Sequence, residues 1–229
     1  IREELRPFFN PKSVAVIGAS HKSGSPGHII FKNLIENVRR GLLRAKVYGV
    51  NIKGGELFGH KLFRSILDIP DTVEHAIIAI PAKLVPPLIE EIGDKVKGAV
   101  VISAGFSETG NTELERELIE KAREKGVRII GPNCAGIFGV HADFFGSFEV
   151  RVKKGGLALI SQSGAFGGAA LAMGNEEGIG FSAFVSYGNA ADLTESDFLR
   201  YFANDENTKV IALYIEGVKD GKKFVESLR

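Results

Sequence analysis

Residues Val14 to Ser20 read Val-Ala-Val-Ile-Gly-Ala-Ser, a short apolar run that ends in a glycine turn. A loop with Gly24 and Gly27 follows and leads into a predicted helix over residues 27–39. A buried strand, a glycine turn and a helix start form the unit that receives a pyrophosphate, because free N–H groups at a helix N-terminus attract anions. This stretch therefore predicts an α/β fold that opens with a nucleotide-binding unit.

Two positions depart from the fingerprint of NAD-binding units. The fingerprint has a second glycine two residues after the first, and this chain has Ser20 there. It also has an acidic residue about 20 residues further on, which holds the ribose hydroxyls. Here the strand predicted over residues 46–50 is followed by Asn51, Ile52 and Lys53. A cation in place of a carboxylate indicates a ligand that carries more phosphate than NAD.

The composition is that of an ordinary globular protein, with 229 residues, 44% hydrophobic and 25% charged, and a formal net charge of +1. This length suits one large or two small domains. Near-neutral charge without basic runs gives no reason to expect nucleic acid or an anionic membrane as a partner. No apolar stretch reaches the roughly 18 residues of a membrane span, and the start does not resemble a signal peptide. The single cysteine, Cys134, excludes an internal disulfide and favours the cytoplasm.

Both ends of the sequence suggest a processed or trimmed piece of a longer chain. Met173 is the only methionine, and residues 220–229 read as a helix with no terminating glycine or following strand. We therefore expect the sequence to stop inside a domain. The absence of Trp, beside many Lys and Glu residues, favours a thermophilic source.

Short apolar runs alternate with amphipathic segments along the whole chain. Predicted strands cover residues 13–17, 46–50, 75–80, 98–103, 127–130, 157–160, 179–186 and 209–215. Predicted helices cover residues 27–39, 84–93, 112–125, 164–176, 195–203 and 220–229. This alternation predicts parallel sheets with helices on both faces. A stretch rich in glycine and phenylalanine, 131–156, interrupts it, so we place a domain boundary near residue 150, with domains 1–150 and 151–229.

A second glycine turn follows the apolar strand predicted over residues 157–160. It reads Ser161-Gln162-Ser163-Gly164-Ala165 and leads into an apolar helix, so its small residues, hydroxyls and helix N-terminus suit a phosphate. A serine nucleophile of the α/β-hydrolase type is disfavoured, because there the histidine follows the serine along the chain. Here all 5 histidines precede Ser163. A plain tight turn capped by a serine remains open.

Glu216 follows the apolar strand predicted over residues 209–215, at the edge where open α/β sheets bind ligands. It is either part of a site, as a partner for a histidine or a metal, or a solvated residue that begins a loop. Asp192 follows the preceding strand and either lines the same edge or, like Thr194, caps the next helix. No pattern of metal ligands is present, and we expect the lone Cys134 to pack against a ligand or the core.

Eight segments in register resemble one family, the NDP-forming acyl-CoA synthetases, which include the α-subunit of succinyl-CoA synthetase. The segments are FFNPKSVAVIGAS (8–20), VNIK (50–53), AIPA (79–82), SAGF (103–106), GPNCAG (131–136), SQSGA (161–165), SYGNAAD (186–192) and YIEGV (214–218). The likeness is greatest to the archaeal ADP-forming acetyl-CoA synthetase group. It implies a Rossmann-like CoA-binding domain over residues 1–150 and the start of a flavodoxin-like ligase domain over residues 151–229.

The resemblance also implies how the first domain holds CoA. The loop after the first strand would wrap the CoA phosphates, and Lys53 would also meet the CoA, whose pyrophosphate and ribose 3′-phosphate suit a cation. The turns at 80–82 and 103–105 would line the pantetheine, and residues 133–136 would flank the thiol. The expected CoA-binding residues are Gly18, Ser20, Ser23, Gly24, Lys53, Ile80, Pro81, Ser103, Ala104, Gly105, Asn133 and Cys134.

For the second domain, the resemblance implies a phosphate site and a catalytic carboxylate. Ser161, Ser163 and Gly164 resemble the phosphate site, and Glu216 resembles the residue that orients a phosphorylated histidine. In the family, acyl-CoA and phosphate give an acyl phosphate, whose phosphoryl group passes to that histidine and then to ADP. ADP, ATP and magnesium bind an ATP-grasp domain or β-subunit, so a hetero-oligomer is expected.

The chain departs from the family in two ways, since no histidine follows His141 and no ATP-grasp domain is present. Alone, it is expected to bind CoA and phosphate without completing the reaction. Two alternatives remain open. One is an NADP-dependent oxidoreductase in which Lys53 meets the 2′-phosphate, and the other is a non-catalytic CoA-binding or regulatory module.

Overall fold

The computed structural model describes residues 2–229, which form two sheets flanked by helices. The helices are α1 (Arg2–Phe9), α2 (Pro26–Arg39), α3 (Val85–Ile92), α4 (Thr112–Lys125), α5 (Gly164–Glu176), α6 (Glu195–Phe202) and α7 (Gly221–Ser227). The strands are β1 (Ser13–Ile17), β2 (Lys46–Val50), β3 (Glu56–Leu57), β4 (His60–Phe63), β5 (His75–Ile78), β6 (Gly98–Val101), β7 (Arg128–Ile130), β8 (Gly136–Gly139), β9 (Phe144–Ser147), β10 (Lys154–Ser161), β11 (Phe181–Ser186) and β12 (Val210–Tyr214). None of the helices in this part of the chain is long and apolar enough to cross a membrane.

The first sheet has the strand order β3-β4-β2-β1-β5-β6-β7. From β4 to β7 the strands are parallel and follow the order of dinucleotide-binding folds. The short β3 pairs antiparallel with β4. In the central strands, Ile17 of β1 lies level with Val50 of β2 and Ile78 of β5. Because the winding reverses between β1 and β5, the ligand crevice of such a fold lies beyond Ile17 and Ile78.

Side chains of β1 alternate between the two faces of the first sheet. Val14 and Val16 are buried in a cluster that contains the apolar side of α2 and residues of the second sheet. Ala15 and Ile17 are buried in a separate cluster with α3 and α4. Both faces of the sheet are therefore covered, which is why the strand is apolar throughout.

The second sheet has the order β12-β10-β11-β8-β9. Its parallel strands β10, β11 and β12, with β10 in the middle, follow the order in which a flavodoxin-like sheet begins. The other two strands, β8 and β9, are antiparallel additions. The sequence pattern does not predict them, because they lie inside the glycine- and phenylalanine-rich stretch 131–156. The predicted α/β class is confirmed, although each sheet carries antiparallel strands beside its parallel ones.

One apolar cluster is shared by the two sheets. Phe9, at the end of α1, stacks on Tyr201 of α6 with ring centroids 4.9 Å apart and also contacts Phe202. Gly139 of β8 passes so close that an added Cβ atom would lie 1.7 Å from the Phe9 carbonyl oxygen. By strand pairing, residues 136–147 belong with the second sheet, and the boundary near residue 150 stays a prediction.

His75, at the start of β5, is a buried histidine that should make stability depend on pH. Its Nδ1 lies 2.9 Å from the Pro7 carbonyl oxygen, and within residues 2–229 its Nε2 has no hydrogen-bond partner. Burial lowers its pKa from 6.5 to about 4. As pH falls below 6.5, His75 binds a proton in the unfolded chain, whereas in the folded chain it stays neutral until about pH 4. We therefore expect full stability above this window and a loss, as pH falls through it, of up to about 1.4 kcal/mol per pH unit.

Chemical denaturation across this pH range measures the effect. His75→Gln keeps a donor for the Pro7 carbonyl and removes the titrating ring, so it should flatten the dependence. His21→Gln alters an exposed loop histidine and should leave the slope as it is in the wild type. Equal slopes in the His75→Gln and wild-type proteins would show that another group governs the acid response.

Candidate functional site

A cleft of about 750 Å³ lies where the carboxyl ends of the strands of both sheets meet. Its walls come from the start of α2 and the loops after β5, β6 and β7 in the first sheet, and from the segments after β9, β10, β11 and β12 in the second. The lining residues are Pro26, Ala79, Ile102, Ser103, Ala104, Glu108, Asn133, Cys134, Ala135, Phe148, Glu149, Gln162, Ser163, Gly164, Ala165, Gly188, Asn189 and Glu216. Both sheets thus present to one space the edge at which open α/β folds bind ligands.

Gly18 and Gly27 bring the first loop of the chain against β5. Gly18 has φ +99°, and an added Cβ atom would lie 2.3 Å from the Ala79 carbonyl oxygen. A Cβ atom at Gly27, in the first turn of α2, would lie 2.1 Å from the Gly18 carbonyl oxygen. The two glycines therefore let β1, β5 and the N-terminus of α2 meet, as glycines do in nucleotide-binding turns.

The loop between β1 and α2 is open to solvent. Its base is held by Ser20, whose carbonyl oxygen lies 2.7 Å from His28 Nδ1. Ser23 and Gly24 are exposed at its tip. Ser25 is the N-cap of α2, but its side chain makes no capping hydrogen bond. The first N–H groups of α2 are thus not satisfied by that hydroxyl, and with the positive end of the helix dipole they suit an anion.

Lys53 lies in the exposed turn after β2 and is not part of the cleft lining. Asn51 fixes this turn beside the loop after β1. Its Nδ2 donates to the Ala19 carbonyl at 2.8 Å, and its Oδ1 accepts from the Lys53 N–H at 3.0 Å. The backbone of Lys53 is therefore tied through Asn51 to the first loop, and the residue lies outside the cleft lining.

Ser103 joins the loops that follow β5, β6 and β7. Its hydroxyl donates to the Ile80 carbonyl at 2.5 Å, and its own carbonyl accepts from the Asn133 N–H at 3.0 Å. Ser103 and Ala104 line the cleft, whereas Ile80 and Pro81 lie outside its lining. The structure thus brings together only part of the set expected to contact the pantetheine.

Asn189, after β11, ties the second sheet to the loop after β6. Its Nδ2 donates to the carboxylates of Glu108 at 2.6 Å and Glu115 at 2.8 Å. Glu108 in turn accepts from the Gly105 N–H at 2.5 Å, and Asn133 donates to Asn189 Oδ1 at 3.2 Å. Sequence reasoning missed this network, because its members lie on separate loops and no local pattern marks them.

Cys134 lines the cleft as a packing residue. It is buried, and its Sγ donates to the Val101 carbonyl at 3.3 Å. Burial raises the pKa of the thiol to about 12. The group therefore stays protonated at neutral pH, where the thiolate would be the nucleophile.

The second glycine turn places the N-terminus of α5 in the cleft. Ser163 is its N-cap, and the hydroxyl accepts from the Phe166 N–H at 3.2 Å. Ser161 is buried and donates to the Ser163 carbonyl at 2.6 Å, so both hydroxyls support the turn itself. Gly164 and Ala165 line the cleft, and as the first residues of the helix their N–H groups have no partner inside it. Those donors suit a phosphate or an oxygen that gains negative charge.

Glu216 stands exposed at the rim of the cleft, just after β12. Gln162 holds this segment, since its Oε1 accepts from the N–H groups of Glu216 at 2.7 Å and Gly217 at 3.0 Å. Sequence reasoning missed this role, although Gln162 is the only glutamine of the chain. Among residues 2–229, no group of three or more His, Cys, Asp or Glu side chains is arranged to hold a metal ion.

Asp192 and Thr194 have different roles in the structure. Asp192 accepts from Arg128 Nε at 2.9 Å and from the Ile129 N–H at 2.8 Å, so it joins the second sheet to β7 and lies outside the cleft lining. Thr194 is the N-cap of α6 and forms a capping box with Asp197. Thr194, and not Asp192, therefore caps α6.

Family models match the two parts of the chain separately. Residues 12–139, more than half of the chain, match a CoA binding domain. Residues 154–229 match the succinyl-CoA ligase like flavodoxin domain. The first match covers the chain from β1 to β8, and the second covers β10 to α7.

Named relatives agree with both matches. The chain is 49% identical over 230 residues to ADP-forming acetate–CoA ligase I subunit alpha of Pyrococcus furiosus, covering 97% of this chain and 49% of the relative. It is 48% identical over 225 residues to ADP-forming acetate–CoA ligase of Methanocaldococcus jannaschii, covering 97% of this chain and 31% of the relative. The chain therefore spans half or less of the length of these relatives.

A solved structure has the same fold. It is the dinucleotide forming acetyl-coenzyme A synthetase 1 of Ca. Korarchaeum cryptofilum, in complex with phosphate and ADP. It superposes with a TM-score of 0.92 at 40% identity, over 97% of this chain and 48% of that one. With both family matches and these relatives, the chain belongs to the CoA binding domain family and, within it, to the NDP-forming acyl-CoA synthetases.

Proposed function

We propose that this chain is the CoA-binding portion of an ADP-forming acyl-CoA synthetase and that CoA lies along the cleft between the two sheets. The observation that carries the proposal is the cleft itself, which is bordered by the N-termini of α2 and α5. CoA has anionic phosphates at one end and a thiol at the other. Two separated groups of backbone donors on one cleft suit a ligand of that length and charge.

The first sheet would hold the nucleotide end. The open loop that begins with Gly18 and Ser20, and includes Ser23 and Gly24, would surround the pyrophosphate together with the N–H groups of α2. Lys53, which borders that loop, would meet the ribose phosphate. A lysine serves this purpose as a compact point charge that needs no fixed geometry.

The loops in the middle of the cleft would hold the pantetheine and the thiol. Ser103 and Ala104 would line the arm, and Asn133 and Cys134 would flank the thiol. CoA supplies the thiol that carries the acyl group as a thioester. Since the Cys134 thiol stays protonated, it would shape this end of the cleft without competing as a nucleophile.

The second sheet would bind phosphate and stabilise the negative charge that develops during the reaction. The N–H groups of Gly164 and Ala165 would stabilise negative charge on phosphate or on the thioester oxygen. Ser161 and Ser163 would keep those donors in place, because both hydroxyls hold the turn. Glu216, fixed through its backbone, would orient a phosphorylated histidine that lies outside residues 1–229.

The proposed overall reaction converts acyl-CoA, ADP and phosphate into the acid, CoA and ATP, through an acyl phosphate. The histidine would lie outside residues 1–229, and an ATP-grasp domain or β-subunit would bind ADP and ATP with magnesium. A relative named as a subunit alpha supports a hetero-oligomer, and the solved relative in complex with phosphate and ADP supports these two ligands. A free cysteine supports a cytoplasmic location.

Calorimetric titration with CoA, dephospho-CoA and NADP⁺ tests the proposal. Lys53→Ala should lower the affinity for CoA about tenfold and barely change that for dephospho-CoA, which lacks the ribose phosphate. Lys61→Ala is the matched control, because this lysine lies on β4 over the Phe63 ring, and it should bind CoA as the wild type does. Tighter binding of NADP⁺ than of CoA would favour the oxidoreductase alternative, and absence of CoA binding would refute the proposal.

A further inference from the structure

Glu149 follows β9 and places a half-buried carboxylate in the wall of the cleft. Its backbone N–H donates to Ser147 Oγ at 3.1 Å. Within residues 2–229, however, the carboxylate has no hydrogen-bond or ion-pair partner. Burial raises its pKa. A carboxylate that is partly removed from water without gaining a partner is disfavoured as an anion, and the proposed reaction leaves this one unused.

A glycine of α5 makes room for this carboxylate. An added Cβ atom at Gly168 would lie 2.3 Å from Glu149 Oε2, so the helix carries no side chain where the carboxylate meets it. Gly168 follows Gly164 by one helical turn, about 6 Å along the axis. Glu149 therefore lies about one turn from the N–H groups of Gly164 and Ala165, at the end of the cleft that would hold the thioester and phosphate.

The charges at this end of the cleft are opposed. The N–H groups at the start of α5 attract an anion, whereas Glu149 repels one. An acyl chain that ends in a methyl group brings no charge to the wall. An acyl chain that ends in a carboxylate brings a second negative charge towards Glu149, in a cleft where water screens it less than in bulk solution.

We propose that Glu149 is a specificity-determining residue that disfavours CoA thioesters whose acyl chain ends in a carboxylate. The inference rests on the proposed function, because it takes the cleft as the site of acyl-CoA. It adds the substrate class, since the wall of the cleft then selects monocarboxylic over dicarboxylic acyl groups.

Butyryl-CoA and succinyl-CoA provide the test, because their four-carbon acyl chains differ in the terminal carboxylate. Calorimetry with this chain should show that butyryl-CoA binds at least about tenfold more tightly than succinyl-CoA. Glu149→Gln keeps the shape and removes the charge, so the ratio should fall to about threefold or less. Glu176→Gln is the matched control, because it removes a charge from α5 about 18 Å from Gly164, beyond the screening length. It should keep the wild-type ratio.

The outcomes separate this inference from the proposed function. The role of Glu149 would be overturned if the wild-type chain bound butyryl-CoA and succinyl-CoA equally, or if Glu149→Gln left the ratio of the two affinities unchanged. In either case, binding of CoA would still uphold the proposed function. A Glu149→Gln protein that no longer bound CoA would show a structural role and would also overturn the inference. Failure of the unaltered chain to bind CoA would overturn both.

Discussion

Replacing Gly27 by alanine should weaken CoA binding about a hundredfold and lower the free energy of unfolding by about 2 kcal/mol. Helix propensity alone predicts the opposite, because alanine is favoured over glycine in a helix by about 1 kcal/mol. Here, however, the new Cβ atom would lie 2.1 Å from the Gly18 carbonyl oxygen, a backbone atom that moves only with the turn. Relief of the overlap must push α2 away from β1. The N–H groups expected to hold the pyrophosphate would move with it.

Urea denaturation and CoA titration measure the two effects. Gly221→Ala on α7 is the matched control, since an added Cβ atom there meets nothing within 4 Å, and it should be as stable as the wild type or slightly more so. A Gly27→Ala protein with unchanged stability would show that the turn relaxes freely. Unchanged CoA affinity would place the CoA phosphates elsewhere.

Asp192→Ala should lower the free energy of unfolding by about 3 kcal/mol, although the residue lies outside the cleft lining. The carboxylate accepts from Arg128 Nε at 2.9 Å and Nη2 at 3.1 Å, and from the Ile129 N–H of β7 at 2.8 Å. Its removal leaves a buried strand N–H and a partly buried guanidinium short of an acceptor, and such groups lose their water without compensation. Arg128 keeps its ion pair with Glu4, which limits the loss.

Chemical denaturation with two comparison variants tests this expectation. Asp192→Asn keeps an oxygen acceptor, so its free energy of unfolding should fall by roughly a third as much as that of Asp192→Ala. Asp94→Ala removes a carboxylate of the same kind from a solvent-exposed pair with Lys125 and should leave stability nearly unchanged. If Asp192→Ala were no less stable than Asp94→Ala, water would be replacing the lost contacts.

Much of the fold follows from local sequence patterns. The predicted bounds of β1, β2, α4 and α5 agree with the structure, because each is an apolar or amphipathic run with clear ends. For α5 the start is set by Ser163, a capping serine. The strands β8 and β9 do not follow from such patterns, since they are short, and β8 joins the sheet only by pairing with β11, far along the chain, while β9 pairs with β8. Pro7 lies inside α1 and hides that helix from a pattern reading.

The candidate site shows the same division. Gly18 and Ser163 are predictable because a tight turn and an N-cap each demand particular residue types. Gln162, Asn189 and Glu149 are not, because their roles depend on which loops the two sheets bring together. A side chain acquires such a role only from the tertiary structure, and a single sequence carries no local mark of it.

The stacking of Phe9 on Tyr201, with Gly139 against the Phe9 backbone, has a mechanical consequence for the cleft. Neither sheet can rotate as a rigid lid over the other without pulling these rings out of the shared core. An incoming ligand would therefore meet walls that are already in position, and little conformational entropy would be lost in assembling them. Motion during turnover would then fall to the exposed loop after β1 and to the rim at Glu216, while the floor between the sheets stays fixed.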